Sequence, residues 1–156
     1  MTTRFLPAVL ALLPLATSLS AQQVSNLTGT WKLNVEKSRW GNMRKPVSGM
    51  IRIEHNEPAL KYTGTLVDAE QNTRTFDFDG AIDGKEYAVR RAYGDGHLAV
   101  RRINTRTTAS VFRSNDGSYE QTATTTVSRD GGVLTRKLSR KGSEGDAAWT
   151  EVYDKR

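Results

Sequence analysis

The stretch that decides the architecture is Ser118-Tyr119-Glu120-Gln121-Thr122-Ala123-Thr124-Thr125-Thr126-Val127-Ser128, followed after Arg129 by Asp130-Gly131-Gly132 and then Val133-Leu134-Thr135-Arg136-Lys137-Leu138-Ser139-Arg140. On the first arm Tyr119, Ala123 and Val127 share one parity, and on the second Leu134 and Leu138 do. That period of two marks a strand with one face on a core. Asp-Gly-Gly between the arms supplies residues that tolerate positive φ, so the two strands fold back on each other as a hairpin.

The same pattern continues outward in both directions. Alternating runs rich in Thr, Val, Ile, Tyr and Phe are expected as strands over 29–35, 48–54, 59–67, 73–79, 85–91, 96–103, 107–113, 118–128, 133–140 and 147–154. Asn56-Glu57-Pro58, Asp83-Gly84, Gly94-Asp95-Gly96, Asn115-Asp116-Gly117 and Gly142 to Asp146 punctuate them with turn residues. No window after Thr28 keeps a helical spacing of apolar residues. Short connections make sequential strands neighbours, which predicts an all-β antiparallel meander of about 8–10 strands. Closure into a barrel is favoured over a sandwich because it removes the exposed edges such a meander would offer for aggregation. Glu36 to Val47 breaks the rhythm and reads as a long loop or a short helical lid.

Two segments frame this body. Arg4, the apolar run Phe5 to Ala16 and the small residues up to Ala21 have the layout of a secretory signal peptide, too short for a span of ~20 apolar residues. Cleavage after Ala21 leaves one domain over 22–156, secreted or periplasmic, with no transmembrane segment in the mature chain. The 156 residues hold 23 Lys+Arg against 17 Asp+Glu and no Cys, which excludes disulfides, thiolate nucleophiles and Cys-based zinc sites. A secreted domain without disulfides is held together by its core alone, and ~135 residues suffice for one.

The two ends of the body carry a family resemblance. Leu27-Thr28-Gly29-Thr30-Trp31-Lys32-Leu33 resembles the Gly-x-Trp first strand of lipocalins and fatty-acid-binding proteins, the calycin barrels, and Trp149 to Lys155 resembles the last strand of the fatty-acid-binding branch. The opening also resembles that of small secreted bacterial proteins beginning Gly-Thr-Trp-Lys-Leu. The resemblance implies a lipocalin-like barrel in which Gly29 and Trp31 are structural, with Trp31 plugging the closed end beneath Lys155 or Arg156. It also implies a small-molecule ligand. The chain departs from the fatty-acid-binding pattern twice. Glu36 to Val47 is too short and too rich in Gly and Pro for a helix pair, and Glu151 stands where the family places a carboxylate-clamping Arg two residues before the last-strand Tyr.

Strand parity then assigns the interior. It puts Trp31, Ile51, Ile53, Tyr62, Phe78, Val89, Leu98, Ala109, Val111, Tyr119, Leu134 and Tyr153 inward, and with them Arg91, Arg102, Arg113, Arg136 and Glu151. Dry burial of that many charges would cost several kcal/mol per unpaired ion. Arg91, Arg102 and Arg113 lie at strand ends, where a rim position relieves the cost. Arg136, between Leu134 and Leu138, and Glu151, between Trp149 and Tyr153, are mid-strand and on adjacent strands, so an internal ion pair is expected. The expected ligand site comprises Arg102, Arg113, Arg136 and Glu151, with the hydroxyls of Tyr62, Tyr119 and Tyr153, and would take an anionic or amphipathic small molecule.

Other chemistries find little purchase. His55 and His97 are far apart and lack the spacing of a metal site, Asp77, Asp79 and Asp83 match no calcium loop, and no serine lies in a nucleophile elbow. No cofactor and no metal are expected. Catalysis by an Arg, Tyr and Glu set in a cavity ranks third among the readings. The basic residues are dispersed rather than interleaved with aromatics, which points away from nucleic acid and toward an anionic envelope surface. The reading that follows is a secreted or periplasmic barrel binding a small ligand in its cavity. The alternative is a non-catalytic envelope interaction or inhibitor module with a filled barrel.

Overall fold

The computed structural model describes residues 23–92, 94–143 and 145–156; the leader expected over 1–21 lies outside them. Ten strands follow in chain order: β1 Gly29–Leu33, β2 Ser48–Asn56, β3 Ala59–Val67, β4 Thr73–Ala81, β5 Glu86–Arg91, β6 Gly96–Asn104, β7 Thr107–Ser114, β8 Tyr119–Val127, β9 Val133–Gly142 and β10 Ala147–Lys155. Each pairs antiparallel with its sequence neighbours, and β1 pairs with β10, so the sheet closes into a barrel, with no helix among the described residues. The expected meander and its closure are both observed. The expected turns are where the chain reverses, with positive φ at Gly84, Gly94, Gly117, Gly131 and Gly145.

β1 is shorter than expected, ending at Leu33 instead of Val35. Asn34 caps the reversal: its side-chain oxygen accepts from Lys37 N–H at 3.0 Å and its carbonyl accepts from Ser38 N–H at 3.1 Å. The chain that follows is a loop and forms no helical lid. It runs along the part of β10 that β1 leaves uncovered, with Arg39 and Thr150 exchanging backbone hydrogen bonds of 2.8 and 2.7 Å. Gly41, at φ 57°, turns against Ala148 O too closely for any Cβ. The half-buried Trp40 then packs on the core.

One end of the barrel is plugged as the Gly-x-Trp opening implies. Trp31 is fully buried, its indole N–H donates to Leu27 O at 2.9 Å, and Lys155 Nζ lies 5.2 Å from its ring centroid. An added Cβ at Gly29 would come within 2.7 Å of Lys155 Cε, so the glycine makes room for that cation. The chain before β1 straps the plug down: Ser25 N–H donates to Thr105 O, and Leu27 N–H to His55 Nδ1 at 3.2 Å. Since His55 Nδ1 accepts, Nε2 carries the hydrogen and donates it to Glu57 Oε2 at 2.7 Å.

Inward parity holds on nine strands and fails on β7. Thr108 and Phe112 are the buried residues there, while Ala109, Val111 and Arg113 take the outer face. Val111 and Phe112 are adjacent and both apolar, so alternation alone leaves the choice open. The larger ring goes inside because it buries more area. A register shift between Arg102 and Asn104 on β6 sets the phase.

Across the barrel wall, Gly96 admits Phe112 and the backbone of β7 at close range: an added Cβ would collide with Arg113 O and with the Phe112 ring. Backbone cannot yield as a side-chain tip can. Gly96→Ala is therefore expected to cost about 1–3 kcal/mol, read as a lowered denaturation midpoint at unchanged slope, whereas unaltered stability would show that β6 and β7 are farther apart than described.

Candidate functional site: a polar cluster inside the barrel

Arg136 on β9 and Glu151 on β10 are direct cross-strand partners, which brings their inward side chains together. Arg136 Nη1 donates to Glu151 Oε2 at 3.0 Å, with side-chain exposures of 18% and 5%. The same oxygen accepts from Tyr153 OH at 3.0 Å, and Oε1 accepts from Trp149 Nε1 at 2.9 Å. Three donors from two strands thus saturate one carboxylate, which is what makes its burial tolerable. Burial alone would lower the Arg136 pKa, but the Glu151 carboxylate together with Tyr153 and Tyr62 outweighs that effect and holds the group above its ordinary value. Burial raises the Tyr153 phenol well above its usual range, and the neighbouring Glu151 charge adds to the effect.

Aromatic rings line the remaining interior. Tyr62 packs between Phe78, at 5.2 Å, and Phe76, edge-on at 5.9 Å, and burial raises its pKa as well. Tyr119 lies 5.3 Å from Phe112. Across these two rings rests the half-buried Arg91, with Cζ 4.3 Å from the Phe112 centroid and 5.7 Å from that of Tyr119. Arg91 Nη2 reaches Gln121 Oε1 at 3.4 Å, a long contact.

The expected site residues therefore separate. Arg136, Glu151, Tyr153, Tyr62 and Tyr119 are brought into one interior. Arg102 faces inward but at the plugged end, where it pairs with Glu57 beside His55 and leaves its Nε buried without a partner. Arg113 is a correction: β7 turns it outward, where it bridges Glu86 and Glu120 at 2.9 Å each. Sequence reasoning excused Arg91 as a rim residue and passed over Gln121 and Trp149. The signal for Arg91 was its parity with Val89.

Two concavities stand out. One, about 450 Å³, lies beside the β1–β10 closure and is lined by Leu33, Val35 and Lys155 among others. The second, about 570 Å³, lies on the outer wall across β2 to β5, lined mostly by outward side chains such as Met50, Asp77 and Arg90, with Phe76, Arg91 and Asp95 among others. Neither is lined by Arg136 or Glu151. Among the described residues no group of three or more His, Asp or Glu is arranged to hold a metal ion.

No protein-family model matches the chain, and no curated protein matches it in sequence. Among solved structures it is similar to the ileal bile acid-binding protein of zebrafish, crystallised with cholic acid. The match is 17% identical, covers 83% of this chain and 98% of that one, and has a TM-score of 0.49.

The saturated carboxylate has a measurable consequence. Arg136→Met strands Glu151 in the interior and is expected to cost about 3–5 kcal/mol, while adding Glu151→Leu restores much of it because the double variant buries no ion. Denaturant titration of the four proteins in the cycle checks this, and a negligible cost for the single variant would mean that the pair is solvated.

Proposed function

We propose that the barrel binds a small anionic or amphipathic molecule in its interior. The observation that carries this reading is the composition of that interior, where two arginines, Arg91 and Arg136, face a single carboxylate, Glu151, among Tyr62, Tyr119 and Phe112. A domain that needed only a filled core would gain more from apolar side chains there than from uncompensated charge. An interior that holds Arg91 beside the Arg136–Glu151 pair, with aromatic walls and phenol hydroxyls, suits a ligand with an acidic group and an apolar body.

The signal-peptide layout of residues 1–21 supports a site of action outside the cytoplasm, in secretion or the periplasm. The outward side chains suit an aqueous setting: Arg52, Glu54, Lys61, Asp79, Arg90 and Lys137 are exposed on the wall where a membrane barrel would carry an apolar band. No helix among the described residues is long and apolar enough to cross a membrane.

The interaction-module reading keeps one support of its own. On the outer wall, Thr122 and Thr124 of β8 lie in register with Ser139 and Lys137 of β9, a hydroxyl-bearing face whose charge is positive. That face suits contact with an anionic envelope surface.

Native mass spectrometry of the protein taken from its own host's secreted or periplasmic fraction tests the ligand reading, with Nile red as an uncharged lipophilic probe. A co-purified small molecule and a probe signal are expected. An empty protein that also leaves Nile red unbound would refute the ligand reading and favour the interaction module. The same spectra report the leader, since the intact mass is expected to begin at Gln22, give or take a residue, and a mass retaining Met1 to Ala21 would refute cleavage.

A further inference from the structure

The inner wall of the barrel has two unlike halves. Along the middles of β3, β4 and β5 the inward side chains are apolar or aromatic, among them Leu60, Tyr62, Phe78 and Val89, with Arg74 and Arg91 at strand ends. On β7, β8 and β9 the inward positions instead alternate apolar residues with Thr108, Ser110, Gln121, Thr125 and Arg136. Ser110 lies between the buried Thr108 and Phe112, and Thr125 between the buried Ala123 and Val127, so parity turns both inward. The two halves face each other. In the ring of ten strands β3 stands across from β8 and β4 from β9, and Arg91 reaches from β5 to Gln121 on β8. Burial raises the pKa of Tyr62 on β3, while the charge of Arg136, from β9, works against it.

The polar half is under-used by the fold. Among the described residues the hydroxyls of Tyr62, Thr108, Ser110 and Thr125 have no hydrogen-bond partner within the protein. Nor are they sealed off, since among those residues the side-chain atoms both buried and unpartnered are Trp40 Nε1 and Arg102 Nε. A hydroxyl shut into a dry interior without a partner is costly, and these four avoid that cost by facing space that water reaches. Ser110 and Tyr62 are mid-strand and point inward, so that space lies within the barrel. Thr108, Thr125 and Arg136 are cross-strand partners in one row, and Ser110 is two residues along from Thr108, which makes one contiguous patch of the hydroxyls. The Arg136 guanidinium in that row is already taken by Glu151.

We propose that the ligand is an amphiphile hydroxylated along one side of its apolar body, with those hydroxyls pairing with Ser110 and Thr125 and its bare side against the aromatic wall around Tyr62. The inference rests on the ligand-binding reading above and narrows its ligand class. An amphiphile with a bare hydrocarbon body would displace water from the β7 and β8 hydroxyls and leave them unpaired. A ligand hydroxyl restores what the water supplied, because Ser and Thr hydroxyls each donate and accept and can turn to suit it.

Stearic acid and 9,10-dihydroxystearic acid share a chain and a head group and differ by two hydroxyls. In an apolar cavity those hydroxyls weaken binding, so the sign of the difference is diagnostic. By isothermal calorimetry the wild-type protein is expected to bind the dihydroxy acid about tenfold more tightly, about threefold for each neutral hydrogen bond. Ser110→Ala and Thr125→Val are each expected to lose about threefold of that preference and to leave stearate binding within about twofold. Both should fold, because the hydroxyl removed has no partner in the protein. Thr124→Val, at an exposed position on the outer wall of β8, keeps the full preference. A wild type that binds stearate as tightly as the dihydroxy acid or more so, a preference undiminished in the inward variants, or binding of Nile red with neither acid would overturn the inference and leave the ligand reading standing. A wild type that binds neither acid and no Nile red would sink the ligand reading itself.

Discussion

The barrel depends on a closure made by its shortest strand. β1 has five residues, yet it pairs with β2 on one side and β10 on the other, so a ten-strand cylinder is zipped by a segment about 17 Å long. Two neighbouring features compensate for that brevity. Trp31, at the centre of β1, buries its whole ring and is held from below by Leu27 O and from the side by Lys155, a residue of the very strand it must meet. Beyond Leu33 the loop takes over, using Asn34, Ser38 and Arg39 to satisfy the β10 backbone that β1 no longer covers. Without that cover, β10 would present an open edge in a chain with no disulfide to limit the consequences.

Closure fixes register, and register fixes the interior chemistry. Because Tyr153 must oppose Leu33 and Lys155 must oppose Trp31, every other residue of β10 is committed inward, and Glu151 is among them. Its β9 partner in the same register is Arg136. The ion pair is thus a consequence of how the sheet closes, and its satisfaction by Trp149 and Tyr153 on the same strand comes from the same parity, i−2 and i+2 of Glu151. The polar cluster and the structural plug are two readouts of one pairing.

This explains which parts of the molecule were legible in the sequence. Strand positions followed from alternation and turn chemistry, both local, and the Arg136–Glu151 pair followed because a two-residue period on adjacent hairpin arms determines facing residues. Face choice on β7 was not local. Thr107 to Arg113 places Val111 and Phe112 side by side, so the decision passed to the register shift at Arg102 to Asn104 on the preceding strand, which no pattern within β7 encodes. Arg113 went outside with that decision. The partners of Arg91 were not legible for another reason: sequence identifies a strand end but not what packs against it, and the rings of Phe112 and Tyr119 arrive from strands 20 to 30 residues away. The loop over Glu36 to Val47 could not be resolved into one conformation because its bonds are to β10, at the far end of the chain.

The interior also shows why charge placement here has an energetic direction. A buried ion pair replaced by apolar residues is often no worse for stability, whereas an unpaired buried ion is expensive. Arg136 with Glu151 belongs to the first class, so its presence adds little to stability beyond what Leu and Met would give. Arg91 is closer to the second class, moderated by partial exposure at the rim and by two aromatic faces. Burial lowers its pKa, so the folded state pays for holding a charge that a neutral side chain would avoid. Substitution by a residue such as Met should then raise stability while removing the cation. A stabilising change of that kind is what a functional group looks like when the fold does not need it, because a residue retained for packing alone would lose stability on replacement.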